Sequence, residues 1–432
     1  MRVLYIALAY LLTPAVFLHW AWRARREPEY LRHWSERLGY GARPAPGALW
    51  VHAVSAGEVQ AAAPVIAALR TERPGLPLLI TTTTPAGRRR AQALFGTETP
   101  VRYLPLDLPG AVHRFLIAAR PALGLIIETE LWPNLYRAAA RRGLPLVIAS
   151  ARVSARSARR YARFSSLIAG SLAAARAIGA QSPEDARRFV DLGAQAGRVS
   201  VTGNVKFDFA VPAGVTSGAV ALRARLGSGR AIWVAGSTHA GEESVVLDAH
   251  EVVRARHPSA LLVLAPRHPP RFAEVAELIE RRAVAFQRWS QMSESSVVEP
   301  TCAVLLLDTL GDLLGFYAAG DVAFVGGSLV PIGGHNLLEP AALGRPVLTG
   351  PHCESAAQAA QSLAEVGAAH AVRDAATLAA ALARYFADPD LRNRDGAAGR
   401  AVVESNRGAS ARVAALAAPW MPGRASEPSR TD

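Results

Sequence analysis

The sequence predicts an α/β protein with two doubly wound parallel sheets behind an N-terminal membrane-anchor helix. Three observations carry this. Short apolar runs alternate with amphipathic stretches, as βα repeats require. The runs fall into two series separated by the stretch 208–217, DFAVPAGVTS. Ahead of both lies a run of twenty residues without formal charge, 3–22, VLYIALAYLLTPAVFLHWAW.

As a helix, the 3–22 run is about 30 Å long, the thickness of a bilayer's hydrocarbon core. Pro14 bends it in a way membrane helices tolerate. Tyr5, Tyr10, Trp20 and Trp22 contribute aromatic rings, the last two near an interface. Arg23, Arg25 and Arg26 follow at once, against only Arg2 on the other flank, so the positive-inside rule puts the body on the cytoplasmic side. A cleaved signal needs its basic cluster before the apolar run and a small-residue site after it, and neither is present. Residues 1–26 therefore read as anchor and basic flank, with an interfacial helix as the alternative.

The first strand series is expected at 49–54, 77–82, 123–128 and 146–149. The second is expected at 232–235, 261–265, 303–307, 322–325 and 346–348. Two domains follow, 27–210 and 211–420, facing a cleft, with ligands beyond the carboxyl ends of the strands. The segment 421–432 reads as a disordered tail.

Composition narrows the function classes. With 432 residues, half of them apolar, the chain buries cores and is not disordered. Its two cysteines, Cys302 and Cys353, exclude a disulfide framework and a zinc module, which suits a reduced, cytoplasmic body. A net charge of +13 favours anionic partners. Of 48 basic residues a single one, Lys206, is lysine. That position either needs a compact ammonium in place of a planar fork or survives by chance.

Several segments after strands can carry chemistry. Ser55 and Glu58 have the spacing of a capping box, and Gly57 in the same turn admits a ligand close to the backbone. Glu58 is thus a helix cap or a general base. In Glu128-Thr129-Glu130-Leu131-Trp132-Pro133-Asn134 the two carboxylates share a face if the strand persists, and a turn before Pro133 separates them. In Gly203-Asn204-Val205-Lys206-Phe207-Asp208 the ammonium is directed at phosphate or paired with Asp208. In the second series Arg267 can grip phosphate, and His239 and His268 can donate hydrogen bonds. The glycine pairs of 326–327 and 333–334 precede a helix expected to start near Asn336, an arrangement of amides and dipole that suits an anion. Asp388-Pro389-Asp390 reads as a helix cap, and metal-independent chemistry is favoured.

Taken in order, HAVSAGE, TTTTPAG, ETELWPN, ARVSARS, GNVKFD, GSTHAGEE, PRHP and GGSLVPIGGHNLLEP resemble one family. It is that of the 3-deoxy-D-manno-octulosonic acid (Kdo) transferases of lipopolysaccharide assembly, which are similar to other GT-B glycosyltransferases. The resemblance runs from the anchor to about residue 400. It implies a GT-B fold of two Rossmann-like domains with the nucleotide sugar held mainly by the C-terminal one. It also implies metal-independent, inverting transfer of Kdo from CMP-Kdo to the lipid A precursor, lipid IVA, at the cytoplasmic face of the inner membrane.

By position, the resemblance makes Glu58 the general base and Glu128 and Lys206 the transition-state stabilisers. Pro266 and Arg267, then Leu310, Gly311 and Asp312, then Asn336, Leu337, Leu338 and Glu339 resemble the CMP-binding segments. Asp312 departs from the pattern, which usually has glutamate, and its reach is shorter. No cofactor beyond the donor and no metal are expected. The expected partners are CMP-Kdo, the lipid A precursor and an anionic inner-membrane surface, not nucleic acid. Two other readings are a membrane glycosyltransferase using a UDP-sugar and a non-catalytic sugar-nucleotide binder.

Overall fold

A computed structural model describes residues 1–25 and 27–421. These form two compact units, 1–208 with 406 onward, and 209–405.

The first unit holds seven parallel strands: β1 (Leu49–His52), β2 (Leu78–Thr82), β3 (Val101–Tyr103), β4 (Leu123–Ile127), β5 (Leu146–Ala151), β6 (Ala177–Ala180) and β7 (Val199–Val201). Their order is β3-β2-β1-β4-β5-β6-β7. The inner strands are buried along their whole length, which is why they read as unbroken apolar runs. Helices start where the sequence supplies caps. Ser55, Thr84, Ser154 and Ser182 each accept a bond from the backbone N–H three residues on. Pro85, Pro133 and Pro183 stand at the first helical position, where a missing N–H costs nothing.

The second unit repeats the plan with β8 (Ile232–Thr238), β9 (Leu261–Pro266), β10 (Phe286–Arg288), β11 (Val304–Leu306), β12 (Val322–Val325), β13 (Val347–Thr349) and β14 (Ala369–Ala371). The order is β10-β11-β9-β8-β12-β13-β14, again parallel throughout. Each unit buries a tryptophan on its first strand and satisfies the indole N–H. Trp50 Nε1 donates to Thr81 Oγ1 at 2.8 Å, and Trp233 Nε1 donates to His250 Nδ1 at 3.1 Å.

In both sheets the strand order reverses beside the first strand, between β1 and β4 and between β8 and β12. Doubly wound sheets bind ligands beyond the carboxyl ends of the strands at that reversal.

The expected domain boundary needs one correction. The second unit ends at Ser405, not at 420, because the chain returns to the first. The helix Ala409–Ala417 buries Ala409, Val413, Ala414 and Ala417 in the same cluster as Leu49, Val51 and Leu125. The carboxylate of Asp208 pins the return by accepting from Gly408 N and Ser410 N. Apart from Met421, which is buried in that cluster, the expected tail lies outside the described residues. The Asp388 cap is present, accepting from Leu391 N at 2.9 Å.

The N-terminal run is a single helix, Arg2–Ala24, long and apolar enough to cross a membrane, with none of its residues buried. One side of it touches the first unit. Tyr5 Oη donates to Asp107 at 2.8 Å, and the Arg37 guanidinium lies 4.0 Å from the centre of the Trp20 ring.

Candidate active site

At the reversal of the first sheet, the turn after β1 carries Glu58 and the loop after β4 carries Glu128, and the segment Val205–Asp208 after β7 brings the lone lysine to Glu128. Ser55 caps the helix Ala56–Glu72, and Glu58 reaches back over the cap. Glu58 Oε2 accepts from Val54 N at 2.7 Å, and Oε1 accepts from Ser55 Oγ at 2.9 Å. The cap is therefore real. It does not exhaust the residue, because burial and then the charge of Glu128 push the Glu58 carboxyl up to about 7. The cap and a carboxyl raised toward neutrality thus coexist in one residue.

The two carboxylates of the second motif do not share a strand face. β4 ends at Ile127, and Glu128 has φ 60°, a left-handed backbone uncommon outside glycine and concentrated at functional sites. The turn is tied down by Thr129, whose hydroxyl bonds the Arg152 carbonyl and accepts from Arg152 N. Glu128 thereby faces Lys206, with Nζ to Oε1 at 2.6 Å. The pairing of Lys206 with Asp208 is not what forms, since Asp208 serves the returning helix. Glu130 turns to a different neighbour. It accepts from Trp132 Nε1 at 2.9 Å, and burial, with the charge of Glu128, pushes it up to about 7.

In the second unit the candidate residues divide into those with exposed side chains and those that build the wall. Arg267 follows β9 with its side chain exposed, while its backbone N–H is bonded to the Thr238 carbonyl. Pro266 closes β9. Leu310 is exposed on the turn after β11, Gly311 has φ +101°, and Asp312 accepts from Thr309 Oγ1. Leu337 and Leu338 are core residues, so they offer a ligand only their backbone. Asn336 Oδ1 accepts from Leu338 N, and its Nδ2 donates to Glu339 Oε1 at 3.1 Å.

Part of the expected amide cradle, that at the first glycine pair, is already occupied. Buried Glu242 accepts from His239 N and from the N–H groups of Gly327, Ser328 and Leu329 at 2.7–2.9 Å. Gly334 N is bonded to the Gly327 carbonyl. The helix expected near Asn336 starts at Leu338 and has five residues. The amides of Gly327, Ser328, Leu329 and Gly334 are therefore taken, which leaves an anion the side chains and the backbone at the helix start.

Sequence reasoning passed over His335. Its Nε2 lies 2.8 Å from His239 Nε2, the rings stack at 5.0 Å, and His268 stands edge-on to His239 at 5.2 Å. Burial and the neighbouring His239, Arg267 and His268 hold His335 down to about 3, so the pair is neutral and shares one Nε2 proton. The glycine pairs around His335 were the available signal. They let the loop 326–335 fold back on β8, where a side chain on Gly326 meets the Ser237 carbonyl at 2.6 Å.

Two seven-stranded parallel sheets, each with its strand order reversing beside the first strand, define the GT-B fold. The fold is shared with the kitacinnamycin glycotransferase (TM-score 0.52, 16% identity, 88% of this chain and 100% of that one). It is shared equally with a UDP-GlcNAc 2-epimerase from Neisseria meningitidis (TM-score 0.53, 14% identity, 83% and 99%). Sequence comparison is more specific. The family profile described as 3-deoxy-D-manno-octulosonic-acid transferase (kdotransferase) matches residues 32–209. The 3-deoxy-D-manno-octulosonic acid transferase of Haemophilus influenzae is 37% identical over 424 residues, 97% of this chain and 99% of that one. That of Bordetella pertussis is 38% identical over 430 residues, 95% and 97%. The chain belongs to the Kdo transferases, the glycosyltransferases of lipopolysaccharide biosynthesis.

Proposed function

We propose that this chain transfers Kdo from CMP-Kdo to the lipid A precursor, lipid IVA, with inversion and without a metal, at the cytoplasmic face of the inner membrane. The observation that carries the mechanism is the Glu58 carboxyl, pushed up to about 7 beside the Lys206–Glu128 pair. A base works best with a pKa near the working pH.

In the proposed step the acceptor hydroxyl attacks the anomeric carbon of Kdo as its proton passes to Glu58. The bond to the phosphate of CMP breaks, and its electron pair leaves with CMP. Glu128 holds one N–H of Lys206, which leaves two donors for charge developing in the transition state. Arg267 supplies the fixed cation of the donor unit, and the neutral His239–His335 pair presents imidazole without adding charge. The helix Arg2–Ala24 with the arginines behind it supports attachment to an anionic membrane.

The test is a reconstituted assay of the full chain with CMP-Kdo and lipid IVA, with products read by mass and CMP and UDP compared as competitors. A Kdo adduct formed with inhibition by CMP supports the reading. A preference for UDP, or donor binding without an adduct, overturns it.

A further inference from the structure

We propose that the arginine stripe Arg156, Arg159, Arg160 and Arg163 binds a phosphate group on the acceptor sugar. This inference rests on the acceptor reading above and deepens it.

The helix Ala155–Ala162 begins on a Ser154 cap, and Arg163 continues its helical backbone. Positions 156, 159, 160 and 163 follow the i, i+3, i+4, i+7 spacing, so their side chains share one helix face. All four are exposed. From 151 to 164 the sequence ARVSARSARRYARF holds five arginines and no acid. Among the described residues, the side chains of Arg156, Arg159 and Arg163 have no carboxylate, hydrogen-bond or ring partner, and Arg160 is engaged by Tyr161, through its ring and its hydroxyl. Like charges at these spacings weaken a helix, so the stripe works against its own fold unless an anion meets it.

The position of the stripe points to the acceptor. Its other side packs Ala158 and Tyr161 on the cluster that also holds Leu131 and Trp132, the residues just after the Glu128 loop. The charge of Glu130 reaches the Tyr161 hydroxyl. Thr129 is bonded to both backbone groups of Arg152, at the start of the same segment. The stripe is thus built onto the loop that carries Glu128. Planar guanidinium groups pair with phosphate oxygens two at a time, and a phosphate monoester is the anion this face suits.

The experiment uses the full chain in detergent micelles and its Arg156→Ala/Arg159→Ala/Arg163→Ala variant. Circular dichroism confirms folding, which these exposed positions leave intact. Calorimetric titration compares a deacylated, diphosphorylated glucosamine disaccharide with the same disaccharide stripped of phosphate. Wild type is expected to prefer the phosphorylated form by about tenfold or more, since a charge-assisted hydrogen bond contributes on that order. The triple variant is expected to lose the preference with its KM for CMP-Kdo unchanged, and the Arg→Lys triple to recover part of it.

A preference retained by the triple-alanine variant, or absent from wild type, overturns the proposal. So does a defect seen only in flotation with phosphatidylglycerol vesicles, which assigns the stripe to the bilayer. Binding that follows the stripe in a protein that transfers no Kdo leaves the phosphate site standing and sinks the functional reading instead.

Discussion

Lys206 Nζ stands 2.6 Å from Glu128 Oε1, joining the one lysine of the chain to a glutamate whose backbone is left-handed. Both side chains are about a third exposed, so water screens the pair and it contributes little to stability. Its value is positional. It fixes the ammonium on Glu128, the same residue whose charge helps to raise the Glu58 carboxyl.

The pH profile follows from this relationship. Glu58 works as a base only when ionised, so kcat/KM is expected to rise with pH and level off above about 7. Glu128→Gln removes the neighbouring negative charge and moves that rising limb to lower pH, whatever it does to the height of the plateau. Glu130→Gln moves it less, because the charge of Glu130 raises Glu58 less than that of Glu128 does. A limb that stays in place in Glu128→Gln assigns it to another group.

Lys206→Arg keeps the charge and matches the preference of the chain, yet it is expected to be markedly slower. Guanidinium is bulkier and spreads its charge, so the 2.6 Å contact with Glu128 cannot be kept with the same free donors. Misplacement by about 1 Å costs on the order of 10²-fold in rate. Single-turnover transfer at saturating CMP-Kdo measures it. A rate within a few-fold of wild type means that Lys206 supplies charge alone.

Glu242→Ala is expected to destabilise the second unit by about 3 kcal/mol or more, because it strips four backbone N–H groups of their acceptor. The same loop carries His335 against His239, so CMP binding weakens with it. Urea unfolding and CMP titration check the two effects. Stability near wild type shows that water replaces the carboxylate.

Deleting residues 1–24 is expected to abolish flotation with anionic liposomes while leaving the fold of the first unit intact. Asp107 keeps its bonds to Asn134 N and Leu135 N when Tyr5 is gone, so the helix Pro133–Arg141 stays capped. Unchanged flotation assigns attachment to the basic surface.

The inner strands were legible in the sequence because burial on both faces leaves them as unbroken apolar runs. The strand 322–325 was placed at its observed bounds, and β1, β2, β4 and β9 to within two residues. The strands that escaped were β6 and the four edge strands β3, β7, β10 and β14. They are three or four residues long, and VRY, VSV, FQR and AHA carry polar residues that break the pattern.

Glu58, Glu128 and Lys206 were legible as motifs after strands, but their meeting was not, because 78 residues separate Glu128 from Lys206 and only the sheet order unites them. The first glycine pair was read as part of an open anion cradle because nothing in the order of residues shows that Glu242, 85 positions before Gly327, takes its amides. The return of the helix Ala409–Ala417 to the first unit escaped for the same reason. Its partner Asp208 lies 200 residues upstream of Gly408.

Single-turnover transfer by Glu58→Gln, with CMP-Kdo and lipid IVA at saturation, tests the central role most directly. Glutamine keeps the shape and an oxygen for Val54 N, so folding and CMP binding are expected to hold. The rate is expected to fall by about 10²–10⁴-fold, the usual worth of a general base. A rate near that of wild type contradicts proton transfer to Glu58 and leaves it a helix cap.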